Sequence, residues 1–186
     1  MNVARVLYLI APLVFAGVVH AVVIKRDLLP RLDRPLDGGR RFHGRPLFGS
    51  NKTWRGPAVM VAACTALTLV QLGLGQIGAL HRLELVRLTL ASALVLGLAL
   101  GLGYSLAELP NSFLKRRLGI GPGQVSATAS RMQYLADQGD SALGGTCAVA
   151  LFLPVPHVLA LVFLTGLALH VVFDRLLYAT GVKERS

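Results

Sequence analysis

Two aspartates, Asp137 and Asp140, stand directly before an apolar run in the second half of the chain. Their spacing would place both carboxylates on one face of a helix. Two ionised carboxylates on one face repel each other unless a cation binds between them. Mg²⁺ suits such a pair because it prefers oxygen ligands and is often shared with phosphates. The pair therefore predicts a magnesium site, with solvated loop acids, or acids paired with loop arginines, as the alternative.

A cluster of cations opens the same polar stretch: Lys115, Arg116 and Arg117. Asn111 and Ser112 come just before the cluster and can cap a helix that starts after Pro110. Cations one turn inside a helix N-terminus form a reasonable phosphate site. The alternative is a basic cluster that anchors the preceding span at the membrane surface.

A second polar segment, Phe48–Gly56, carries more hydrogen-bond donors than a membrane anchor needs. Its candidate phosphate-binding residues are Asn51, Lys52, Thr53 and Arg55. Carboxylates for a divalent metal and cations for phosphate, both beside apolar runs, indicate phosphate chemistry on a lipid.

Composition places these residues in a membrane protein. The chain has 186 residues, of which 54% are hydrophobic and 15% charged, and its mean hydropathy is +0.61. The net charge of +10 lies in loops between apolar runs, so it is better explained by orientation in the bilayer and by anionic lipid than by nucleic acid. Cys64 and Cys147 lie inside apolar runs, which argues against a disulfide or a zinc site.

We predict an all-α integral membrane protein, a single polytopic domain over residues 1–186. The expected spans, about five transmembrane helices, are about 3–24, 57–80, 88–109, 141–153 and 157–172. Two large cytoplasmic loops are expected, 25–56 after the first span and 110–140 after the third, and Pro110 is expected to end the third span. The first run could also be read as a signal peptide, but its length and the cations directly after it favour a retained span.

The distribution of cations predicts the orientation. With five spans, the two large loops and the C-terminal tail share one side, which holds sixteen of the 19 Lys and Arg residues. The other side has only Arg5, Arg82 and Arg87. The positive-inside bias therefore places both large loops in the cytoplasm and the N-terminus outside.

Three segments, in this order, resemble signature segments of the CDP-archaeol synthase family: FGSNKTWRG (Phe48–Gly56), NSFLKRRLGIGPG (Asn111–Gly123) and DQGD (Asp137–Asp140). The segment Pro35–Gly49 is similar to the cytoplasmic loop of that family. The family consists of CTP-dependent cytidylyltransferases related to CDP-diacylglycerol synthase. The resemblance covers both loops and the order of the spans.

The resemblance implies a reaction in which CTP and an anionic membrane lipid phosphate give a CDP-lipid and pyrophosphate. It implies that Asp137 and Asp140 bind Mg²⁺, with Glu108 as a candidate third ligand. The triphosphate or the leaving pyrophosphate would contact Lys115, Arg116 and Arg117. CTP or the lipid phosphate would contact Asn51, Lys52, Thr53 and Arg55, and would be oriented by Asn111 and Ser112. The expected catalytic residues are Asp137, Asp140 and Lys115.

Two other functions remain open at this point. A CDP-alcohol phosphotransferase would use a CDP-lipid instead of making one, but its longer spaced aspartate signature is absent. A small membrane transporter or scaffold would not be an enzyme. A transporter should place ionisable groups at mid-membrane, whereas here the polar residues gather at one face of the membrane.

Overall fold

Helices dominate the fold. The computed structural model describes residues 3–124 and 130–179. Its helices are α1 (Val3–Lys25), α2 (Arg55–Leu74), the single turn α3 (Gly78–His81), α4 (Leu90–Arg117), α5 (Ser130–Ala150) and α6 (Pro156–Ala179). Two short strands, β1 (Arg41–Phe42) and β2 (Arg45–Pro46), form a hairpin between α1 and α2. The tail cations Lys183 and Arg185, which are expected on the cytoplasmic side, lie outside the described residues.

Four of the helices, α1, α2, α4 and α6, are long and apolar enough to cross a membrane. At 1.5 Å per residue, a helix of about 20 residues matches the roughly 30 Å hydrocarbon core. The fifth long helix, α5, is polar in its first half and apolar in its second. The predicted class, an all-α integral membrane protein with about five transmembrane helices, is confirmed, with four candidate spans among the described residues.

The five long helices form a closed ring. Along it, α1 packs on α2, α2 on α4, α4 on α5 and α5 on α6, and α6 returns to α1. Residues from four different helices meet at the centre of the ring, where Val6, Met60, Leu100 and Val149 are at most 2% exposed. Since α4 contacts two neighbours closely, it is the element that positions the site.

Glycines set how closely α4 approaches its neighbours. A Cβ atom added at Gly101 would lie 2.5 Å from the Cα atom of Val61 in α2. On the other side of α4, Gly103 meets Gly144 of α5, and a Cβ at Gly144 would lie 2.1 Å from the Gly103 carbonyl oxygen. Small residues at these positions let the helix backbones approach closely, as is common for helices that pack in a membrane.

Pro110 does not end the third helix, contrary to the sequence-based expectation. Helix α4 continues through it to Arg117. Proline removes one backbone hydrogen bond, but the turn beyond it is held because Asn111 and Lys115 bond to side chains of α5. Asn111 and Ser112 therefore do not cap a new helix. The basic cluster lies in the last turn of α4, where cations interact favourably with the helix dipole.

The loop between α1 and α2 folds around one buried carboxylate. Asp37 is 8% exposed and accepts hydrogen bonds from the backbone N–H groups of Gly39, at 2.9 Å, and Phe48, at 3.0 Å. The neighbouring segments pair with each other, since Leu36 N–H donates to the Lys52 carbonyl at 2.8 Å. The loop is thereby fixed across the ends of α1, α2 and α4.

Candidate functional site

A polar stripe runs along the end of α4 that faces α5 and α6. Tyr104, Glu108, Asn111 and Lys115 follow one another at spacings of three or four residues, so they share one face of the helix. Both α5 and α6 offer polar partners to this stripe. The stripe places four functional side chains in one row.

Asn111 joins the two predicted metal ligands. Its Nδ2 lies 2.6 Å from Asp137 Oδ1 and 2.8 Å from Asp140 Oδ2. Helix α5 is continuous through both aspartates, so both point to α4, as their spacing predicted. Lys115 forms an ion pair with Asp137. The second loop therefore brings its carboxylates and one of its cations together.

The first loop and the end of α4 extend this arrangement. Ser141 Oγ donates to Glu108 Oε1 at 2.9 Å and lies 3.1 Å from Asp140 Oδ1. The other oxygen of Glu108 pairs with Lys52. We call the resulting row of hydrogen-bonded side chains the polar network; its members are Lys52, Glu108, Ser141, Asp140, Asn111, Asp137 and Lys115.

The donor set suits a hard divalent cation. Within the described residues, no group of three or more His, Cys, Asp or Glu side chains is close enough to share an ion. Mg²⁺ commonly takes only one or two protein carboxylates and fills its other positions with water and substrate phosphate. Asp137 Oδ1 and Asp140 Oδ2 both lie within hydrogen-bond distance of Asn111 Nδ2, so they are close enough to supply these two carboxylate ligands. The residues present therefore fit the ion.

Arg116 is buried and forms no ion pair within the part of the chain that the structure describes. It is 5% exposed, and its Nε and Nη1 atoms find no hydrogen-bond partner among the described residues. Gly49 lies against it with a φ of +105°, and a Cβ there would be 3.4 Å from Arg116 Nη1 and 3.2 Å from Asn51 Oδ1. An unpaired buried guanidinium is unfavourable. Its presence indicates a site for an anion beside the Gly49 backbone.

Two predicted phosphate ligands are bound elsewhere. Arg55 is 7% exposed and pairs with Asp27, at 2.8 Å, and Asp33, at 3.2 Å. It therefore joins the end of α1 to the start of α2. Arg117 donates to backbone carbonyls of the hairpin and lies over the rings of Phe42 and Phe113. In this structure both arginines hold the loop in place, and neither belongs to the polar network.

The remaining predicted residues lie around the site. Asn51, Lys52 and Thr53 line a small polar pocket of about 170 Å³ together with Glu108. Ser112 is 8% exposed inside α4. It lies one helical turn before Arg116 and thus on the side of α4 that faces Gly49 rather than the polar network.

The electrostatics of the loop follow from hydrogen bonding. Burial alone would raise the pKa of Asp37, but the backbone N–H donors of Phe48, Gly39 and Gly49 outweigh it and lower the pKa. Asp37 is therefore held as a carboxylate that organises the loop. Its negative charge is satisfied locally by amides.

Sequence reasoning missed three residues of the site. Ser141 links two carboxylates of the polar network, while His20 and Tyr104 line the polar pocket from α1 and α4. Tyr104 had a usable signal, because it lies four residues before Glu108 on the polar stripe. His20 had none beyond being a histidine in an apolar run, since only packing brings α1 beside the first loop.

Several known proteins match this chain. The CarS-like family, described as CDP-archaeol synthase, matches residues 3–186. The chain is 35% identical over 152 residues to the CDP-archaeol synthase of Halobacterium salinarum, covering 81% of this chain and 82% of that protein. It is 33% identical over 157 residues to that of Halorubrum lacusprofundi, covering 81% and 82%. It is 34% identical over 152 residues to that of Methanosphaerula palustris, covering 81% and 87%.

No solved structure matches the chain. The family match extends over nearly the whole sequence, including both loops that build the site. The chain therefore belongs to the CDP-archaeol synthase family.

Proposed function

We propose that this protein transfers the cytidylyl group of CTP to the phosphate of an anionic membrane lipid, with Mg²⁺ bound by Asp137 and Asp140. The products are a CDP-lipid and pyrophosphate. The observation that carries the proposal is the polar network, which joins both loops at the same end of the helix ring.

Family membership confirms the coarser prediction, a CTP-dependent cytidylyltransferase acting on a lipid phosphate. It favours this function over the transporter, the scaffold and the CDP-alcohol phosphotransferase. The metal, the roles of individual residues and the orientation in the membrane belong to the proposal.

The charges of the polar network support a divalent cation. Three carboxylates, those of Glu108, Asp137 and Asp140, face the ammonium groups of Lys52 and Lys115. These five groups together carry a net charge of −1, and the two aspartates are linked only by the neutral amide of Asn111. When bound, Mg²⁺ would neutralise this charge together with that of the CTP phosphates.

The reaction depends mainly on positioning the two substrates and on neutralising their charges. An oxygen of the lipid phosphate forms a bond to the α-phosphorus of CTP, and the bond from that phosphorus to the β-phosphate oxygen breaks. The electron pair leaves with pyrophosphate. The attacking phosphate is already ionised near neutral pH, so no strong general base is required. The chain's contribution is to hold two anions together against their repulsion.

Arg116, with Lys115, is suited to the leaving pyrophosphate. Arg116 offers donors that have no partner among the described residues, and they lie next to the backbone of Gly49. Lys115 lies on the adjacent face of α4 and is held by Asp137. Donors on both sides of one helix end can stabilise the charge that grows on the leaving group.

The proposed orientation puts this site in the cytoplasm. The ends of α1, α4 and α6 and the start of α5 lie on the same side as the hairpin, where most of the cations are found. The N-terminus would lie outside. Cytoplasmic CTP would then reach both loops.

Pyrophosphate release from purified protein in detergent tests the proposal. The assay contains CTP and a panel of lipid phosphates, with Mg²⁺ or with EDTA. Release that needs both lipid and metal is expected. Release that continues in EDTA would contradict the metal assignment, and no release with any lipid would contradict the reaction.

A matched pair of variants connects the assay to the polar network. Asp140→Asn removes one charge from it. Glu84→Gln removes a carboxylate at the opposite end of the ring, where Glu84 lies 3.2 Å from His81. We expect turnover to be lost only in the first variant. Equal losses in both would indicate a general effect on folding.

A further inference from the structure

Two cavities, one lined by both polar and apolar side chains and the other mainly by apolar ones, share one wall. The polar pocket of about 170 Å³ contains Lys52 and Glu108. An apolar cavity of about 460 Å³ lies between α1, α4, α5 and α6. The side chains common to both linings are those of His20, Ile24 and Tyr104. A molecule with an apolar and an anionic part could therefore occupy both cavities across this wall.

The apolar cavity has the shape that lipid tails need. It follows α1 from Ile10 to Ile24, about 21 Å at 1.5 Å per residue. Its lining includes Val14, Val172 and Leu176, which are 42%, 53% and 55% exposed. The cavity is thus open sideways to the bilayer. A lipid phosphate with its tails here would carry its phosphate to the shared wall.

One side of the shared wall is already held by hydrogen bonds. Tyr104 Oη lies 2.8 Å from His170 Nε2, and His170 Nδ1 lies 2.5 Å from Gln138 Oε1. The rings of Tyr104 and His170 also stack at 5.9 Å between centroids. Gln138 is 4% exposed and comes from the DQGD segment. Tyr104 is therefore fixed in position.

His20 forms the other side of the wall. Among the described residues, neither of its ring nitrogens has a hydrogen-bond partner within the chain. The absence of a side chain at Gly56 keeps space open beside it, since a Cβ there would lie 3.7 Å from His20 Nε2. An unpaired imidazole where a phosphate would enter the polar pocket is suited to donate a hydrogen bond to it.

We infer that His20 binds the phosphate of the lipid substrate and not that of CTP. This inference rests on the proposed function and adds the residue that recognises the lipid as an anion. In this arrangement CTP would contact Arg116 beside Gly49, two residues that line neither of the two cavities. The lipid phosphate thereby has His20 as its donor and CTP has Arg116, and the polar network lies between these two residues.

Kinetics of His20 variants give the first test. We expect His20→Leu to raise KM for the lipid phosphate roughly 10- to 150-fold, because one hydrogen bond to a charged group is lost. KM for CTP should stay within about twofold. His20→Gln keeps an amide donor and should recover most of the loss. His157→Leu is the matched control, since His157 is exposed at the opposite end of α6.

Equilibrium binding without CTP separates this inference from the proposed function. The probe is a short-chain dialkylglycerol phosphate in detergent, with the corresponding phosphate-free alcohol as control. His20→Leu should weaken binding of the phosphate and leave binding of the alcohol unchanged. If the wild type binds this lipid in a His20-dependent way yet releases no pyrophosphate, the proposed function fails and this inference stands. Equal binding by wild type and His20→Leu, or a rise in KM for CTP alone, overturns the inference.

Discussion

Replacing Arg116 with methionine should make the protein more stable and less active. Two buried nitrogens of Arg116 have no hydrogen-bond partner among the described residues. An unsatisfied buried polar group costs about 1–3 kcal/mol. Methionine has a comparable length and no polar hydrogen, so Arg116→Met should raise the free energy of unfolding by about that amount when CTP is absent.

The same change should weaken the interaction with CTP. A hydrogen bond to a charged group contributes about 1.5–3 kcal/mol, and each 1.4 kcal/mol is about a tenfold change in affinity. KM for CTP should therefore rise roughly 10- to 150-fold in Arg116→Met. Arg116→Lys keeps the charge but loses the planar fork of donors, so its KM for CTP should lie between that of the wild type and that of Arg116→Met.

Thermal unfolding in detergent, with and without CTP, and pyrophosphate release would measure both effects. The matched control is Arg117→Met, since the Arg117 guanidinium donates to backbone carbonyls of the hairpin. This control should lose stability. A destabilised Arg116→Met protein with an unchanged KM for CTP would refute the reasoning, because it would show that the guanidinium supports the fold and binds no anion.

Three further predictions concern the metal site, the helix packing and the loop. Asp140→Asn should lower turnover at least about 100-fold, since charge neutralisation dominates the chemistry, with a normal unfolding temperature; full activity with Mg²⁺ would exclude the proposed ligand. Gly144→Ala should cost about 1–3 kcal/mol of stability, because its Cβ would meet a backbone oxygen at 2.1 Å; Gly73→Ala, with no atom within 4 Å of the added Cβ, is the control, and equal unfolding temperatures would contradict the packing argument. The lowered pKa of Asp37 means that its contribution to loop stability is present above the unfolded value of about 3.9 and is lost as pH falls through the lower folded value. The protection factors of the hairpin amides, which correct for the change of the intrinsic exchange rate with pH, should therefore fall on acidification through this range, whereas Asp37→Asn should show low protection factors already at pH 7; pH-independent protection factors in the wild type would disprove this role.

Much of the fold and part of the site could be predicted from local pattern. The apolar runs predicted the spans because a helix must be long and apolar enough to cross the hydrocarbon core. The spacing of Asp137 and Asp140 placed both carboxylates on one face of α5 because helical periodicity is a local property. Family signatures then indicated the reaction class, since they are themselves continuous stretches of sequence.

The role of each cation could not be predicted in that way. Arg116 and Arg117 are adjacent in the sequence, yet Arg116 has two buried nitrogens without a partner among the described residues, while Arg117 holds the hairpin. Arg55 lies three residues after Lys52, yet only Lys52 joins the polar network. Which partner a long charged side chain finds depends on elements that are remote in sequence.

Tertiary packing also decided where the helices end and what lies between them. Pro110 would end an isolated helix, but contacts of the next turn with α5 carry α4 past it. His20 lies in an apolar run and gains a candidate role only because α1 packs beside α4 and the first loop. The sequence by itself determined which segments are apolar, helical and charged, since these are local properties of the chain. Only the close approach of α1, α4, α5 and the first loop decided which charged groups meet, because Coulomb and hydrogen-bond energies depend on distances that local sequence does not encode.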